Sequence, residues 1–120
     1  MKRQKLSHEF GYIIGMASAI RSLADNLVFL ATAKDEKSFR HTALLMARLA
    51  GEVGLYASTV HDWFPWKDFR ENVTAVVEEA DSGRSSNLEH RAEEILKTIC
   101  TIELRYRRLS EEYIDVGDRV

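Results

Sequence analysis

The chain has one cysteine, one proline and no excess of charge of either sign, and each shortage excludes something. With Cys100 alone there is no disulfide framework, and a cysteine-rich zinc module lacks its ligands. A single proline, Pro65, leaves nearly all of the 120 residues free to form helix. Lysine and arginine total 17 against 19 aspartate and glutamate, a balance unlike that of a protein built to neutralise phosphates. Phosphate-cradling glycine motifs and nucleophile elbows are missing as well. The hydrophobic share, 45%, is ample for one domain with its own core.

What the chain does have is helical periodicity. Leu6, Phe10, Ile13, Ala17, Ile20, Ala24, Leu27 and Ala31 follow alternating steps of four and three, as do Phe39, Ala43, Met46, Ala50, Val53, Ala57, Val60 and Phe64. A shorter run joins Trp66, Phe69, Val73, Val76 and Ala80, and a long one extends from Leu88 to Val116. This spacing lines one face of a helix, whereas a half-buried strand would alternate every second residue. The pattern predicts helices over 6–33, 36–64, 66–81 and 87–116, three long and the third short. Short connections favour antiparallel neighbours, so the expected fold is an all-α, up-down-up-down four-helix bundle in one domain, residues 1–120.

Punctuation agrees with these limits. Asp35 can cap the second helix after a tight turn at Ala33-Lys34, and Pro65 suits a first helical turn. Gly83 suits a left-handed stop, and Ser86 with Glu89 forms a capping box for the last helix. A third helix this short leaves a strip of core for something else to cover.

A second pattern lies on the first two helices. Gly11, Gly15, Ser18 and Ser22 form one stripe of small residues, and Ala47, Gly51, Gly54 and Ser58 form another. Glycine within a helix costs about 1 kcal/mol relative to alanine, so four of them require a packing reason. They either line the contact between these two helices or form a flat seam where another chain docks. The second alternative makes the protein a self-associating, non-enzymatic module: a scaffold, adaptor or small subunit, with a homodimer as the default because oligomers usually close symmetrically.

Carboxylate-bridged metal bundles need Glu-x-x-His pairs, which are absent, and Glu52 has Arg48 one turn earlier to pair with, so no metal or cofactor is expected. Cys100 is expected near the apolar face of the last helix, buried and inert. Arg84-Ser85, four residues and then His90 is similar to the Arg-polar-x(4–6)-His pattern of HEPN-type ribonucleases. That resemblance covers seven residues, with serine where asparagine or aspartate is usual. It implies that Arg84 and His90 would act together on an RNA phosphate and the attacking 2′-hydroxyl.

A nucleic-acid contact is the other alternative. Lys2, Arg3, Lys5, Arg105, Arg107 and Arg108 gather at one pole with Trp63, Phe64, Trp66 and Phe69, where cations could track phosphates and rings could stack bases. The same pole carries as many acidic as basic residues, and pairs such as Arg107 with Glu111 and Arg108 with Glu112 are ordinary neighbours on a helix. The aromatic residues read as a plug closing the bundle. No stretch approaches 18 uncharged apolar residues, and the periodicity runs unbroken past the Ala17-Ser18-Ala19 that imitates a cleavage site. The expectation is a cytoplasmic protein without a membrane partner.

Overall fold

A computed structural model describes the backbone of residues 2–59, 64–83 and 87–118, and the side chains of residues 9–59, 65–83 and 87–111. Among the described residues there are four helices and no strand: α1 (Lys2–Thr32), α2 (Glu36–Ser58), α3 (Phe64–Asp81) and α4 (Leu88–Asp118). Each helix runs antiparallel to its neighbours, as pairs of contacts show. Along α1 and α2, Tyr12 meets Tyr56 while Leu30 shares a cleft with Phe39. Along α1 and α4, Phe10 meets Tyr106 and Leu30 lies by Leu88. Gly51 faces Arg70 and Arg40 bonds Asp81 between α2 and α3, and Trp66 meets Tyr106 and Glu79 meets Arg91 between α3 and α4. The order of ascent and descent is up-down-up-down.

The predicted 4-3 stripes are the core. Phe10, Ile13, Ile20 and Leu27 of α1 are buried against Phe39, Met46 and Val53 of α2, Trp66, Phe69, Val73 and Val76 of α3, and Ile95, Ile99 and Tyr106 of α4. Burying each large side chain contributes about 1.5–3 kcal/mol, enough in sum to hold amphipathic helices that would fray alone.

The turns follow the sequence closely. After α1, the N–H of Lys34 donates to Ala31 O and that of Asp35 to Leu30 O, a Schellman stop with Lys34 at φ 59°. Asp35 then caps α2 by accepting from the backbone N–H of Ser38 at 3.1 Å. Gly83 ends α3 at φ 77°, its N–H donating to Ala80 O. Ser86, the first half of the predicted capping box, lies outside the described residues.

The third helix is the shortest, as expected, while several boundaries differ: α1 begins at Lys2 where residue 6 was expected, and the junction of α2 with α3 is displaced. The second helix was expected to reach residue 64, but it stops at Ser58, where the Thr59 N–H turns back to Tyr56 O, and Phe64 opens α3 instead. Val60 lies outside the described residues. The bundle therefore has two long helices of 31 residues, α1 and α4, and two shorter ones, α2 of 23 and α3 of 18. The molecule is 57 Å long while α2 spans only about 35 Å, so α1 and α4 carry backbone past the shorter pair.

Candidate interaction surface

The small-residue stripes part company in the structure. Ala47, Gly51 and Gly54 are buried, and a Cβ built on Gly51 would lie 3.4 Å from Nη1 of Arg70 on α3. Gly51 thus faces the Arg70 side chain of α3, which decides against the alternative that Gly11 and Gly15 of α1 meet it. Ser58 is exposed at the end of the stripe, its hydroxyl donating to Leu55 O. On α1, Gly11, Gly15 and Ser22 are exposed and Ser18 half-buried. A Cβ at Gly11 or Gly15 would meet nothing within 4 Å. The core faces of the two helices alternate large with small, Ile13, Ala17, Ile20 and Ala24 on one and Ala43, Met46, Ala50 and Val53 on the other, and that contact needs no glycine.

The outward side of α1 has an unusual make-up. Residues 10–33 include two charged side chains, Arg21 and Asp25, whereas 88–111 of α4, an equal length, include ten. Arg21 is turned to α4, with Nε 3.1 Å from Oε2 of the buried Glu103. That nitrogen is not aligned for a hydrogen bond, so the attraction is chiefly between charges. Arg107 donates to the other oxygen of Glu103 at 3.4 Å, reaching back one turn instead of forward to Glu111. What remains outward on α1 is small or apolar. Phe29 is 66% exposed, and Tyr12 packs on Tyr56 of α2 with ring centroids 4.7 Å apart. On α2 Leu45 is exposed on the same stripe as Tyr56, while Leu44 and Leu55 are exposed on other sides of that helix. Scattered exposed apolar residues are normal, but a contiguous apolar face marks an interaction site.

The same helix revises the membrane expectation. Glu9–Thr32 is long and apolar enough to cross a membrane by length and composition, which counting uncharged residues overlooked because hydropathy averages over Arg21 and Asp25. Its Ile13, Ile20 and Leu27 are buried in the bundle core, while most of the span is not buried.

The other candidate sites scatter. His90 is exposed on the rim of a cleft of about 650 Å³ between the α1–α2 turn and the start of α4, with Nε2 3.1 Å from Oε1 of Glu94. Arg84, its partner in the ribonuclease-like pattern, lies outside the described residues, as does Ser85. The cleft also holds Asp35, Glu36, Glu89 and Glu93, of which Asp35 serves as the cap of α2. Among the described residues no three His, Cys, Asp or Glu side chains gather where they could hold a metal ion. Glu52 lies 3.6 Å from Arg48, the expected neighbour.

At the opposite pole Trp66 and Phe69 are buried, so they offer no stacking face to a base. Trp66 Nε1 donates to the Tyr106 hydroxyl at 3.1 Å, the two rings stack, and Phe10 and Phe69 pack around them. Trp63 and the side chains of Phe64, Lys2, Arg3 and Lys5 lie outside the described residues. Arg108 is exposed, as are Arg105 and Arg107. Cys100, expected in the core, is exposed instead, one position past the buried Ile99 on α4.

No protein-family model, curated protein or solved structure matches this chain.

Proposed function

We propose that the protein is a non-enzymatic, self-associating helical module, a scaffold, adaptor or small subunit, that docks through the outer face of α1. One observation carries this reading: Gly11 and Gly15 sit mid-helix with open space where a side chain would be. Each lowers helix stability by about 1 kcal/mol relative to alanine, and no contact among the described residues repays that loss. A backbone approaching from outside would. The scarcity of charge along the same face, where Asp25 is the exception, lowers the desolvation penalty that a close approach incurs.

Sedimentation velocity at tens of micromolar tests the proposal, comparing wild type with Gly15→Leu. Leucine is the better helix former, so the variant melts higher by up to about 1 kcal/mol as an isolated bundle. It nevertheless shifts toward monomer, because the side chain holds the second backbone off. A wild type that is monomeric across this range removes the self-association.

A further inference from the structure

We infer that a second copy of this chain docks antiparallel along α1, with Phe29 of each copy seated in the notch at the partner's Gly11. The inference rests on the self-association proposed above and adds orientation and register to it.

The outward residues Gly11, Gly15, Ser18, Ser22, Asp25 and Phe29 are spaced by four, three, four, three and four. This is a second heptad-like seam, and all its members are exposed except the half-buried Ser18. The order of steps reads the same from either end. Two such seams laid antiparallel about a two-fold axis between Ser18 and Ser22 therefore fall into layers without remainder.

Side-chain sizes match in those layers. Phe29, the most exposed aromatic ring among the described residues, comes opposite the partner's Gly11, where nothing lies within 4 Å of a Cβ. Ser18 comes opposite the partner's Ser22, two small side chains that let the helices close. Asp25 comes opposite the partner's Gly15, where the missing side chain leaves its carboxylate a path to water, with the Ser18 hydroxyl a turn away as a donor. In a parallel pairing Phe29 would meet Phe29 and glycine would face glycine, holding the helices apart at one end and leaving a void at the other.

The area suffices. Gly11 to Phe29 spans about 27 Å, and with the flank of α2, set about 10 Å away, the face is about 20 Å wide. That is roughly 550 Å² per copy, or about 1,100 Å² in all, just above the floor of roughly 1,000 Å² for a well-matched interface and below the roughly 1,200–2,000 Å² of standard stable ones. Both exposed flanks on α2, Tyr56 and Leu45, are apolar as well.

Cysteine cross-linking in the full chain tests the register, in a Cys100→Ser background that removes the only native thiol. Under mild oxidation Gly11→Cys/Phe29→Cys is expected to give covalent dimer, and so is an equimolar mixture of the two single variants. Neither single variant alone should cross-link, because equivalent positions lie about 27 Å apart along the seam. Single variants that cross-link to themselves establish a parallel pairing and overturn the inference. A second measurement does not need a disulfide. Gly11→Phe and Phe29→Gly are each expected to weaken association about tenfold, and the double variant, which exchanges ring and notch, to restore it to within about threefold. A wild-type dimer whose double variant is weaker than either single overturns the register alone. A monomeric wild type, including one that instead floats with phosphatidylcholine vesicles, overturns both the register and the self-association.

Discussion

Trp66 and Tyr106 show at the scale of single residues how the bundle handles polar atoms in its core. Both side chains are fully buried, and the Trp66 indole N–H donates to the Tyr106 oxygen while their rings stack. Tyr106→Phe keeps the ring but leaves the indole N–H without this acceptor, an expected loss of about 1–3 kcal/mol in urea unfolding. Adding Trp66→Phe removes the orphaned donor, so the double variant should lose less than the two single losses added together. Glu103 is a similar case with charge: a buried carboxylate of α4 held between Arg21 of α1 and Arg107 of its own helix. Cys100 marks the limit of reasoning from periodicity. One residue beyond a core position turns a side chain by about 100°, and that rotation carries the thiol from the core edge to the surface.

At the scale of helices, the stops and starts were written in small, local chemistry. The Schellman stop at Lys34 forces a lysine into the left-handed region, where a Cβ is unfavourable. Lys34→Gly is expected to stabilise the fold by up to about 1 kcal/mol, raising the melting temperature by a few degrees in a thermal scan. Gly83→Ala, at a similar φ, should lower it. These turns were legible because each depends on a few adjacent residues. The end of α2 was not: its apolar steps continue to Val60 and Phe64, yet the helix stops at Ser58. Periodicity tells which side of a segment is apolar, but it says nothing about whether one helix or two supply that side. Pro65 signalled a break nearby, and the chain breaks several residues before it.

For the whole molecule, the distribution of charge separates one side from the rest. From residue 10 onward α1 carries only Arg21 and Asp25, while α3 and α4 are laced with ion pairs such as Arg91 with Glu79 and Glu94. Association through α1 should therefore depend little on salt: the dimer constant measured by sedimentation is expected to change less than about threefold between 50 mM and 1 M NaCl. A steep loss with salt would instead indicate docking through the charged helices.

The amino-acid order alone determined that this chain forms four antiparallel helices, which residues face the core, and where two of the three turns lie, because periodicity and capping act within a few residues along the chain. It also showed two stripes of small residues without saying what they meet. Only the packing of α3 onto α2 decided that Gly51 is an internal contact while Gly11 and Gly15 face outward. A helix has several faces, and which neighbour covers each depends on the rotation of every helix against the others, a property of the assembled core and not of any local segment.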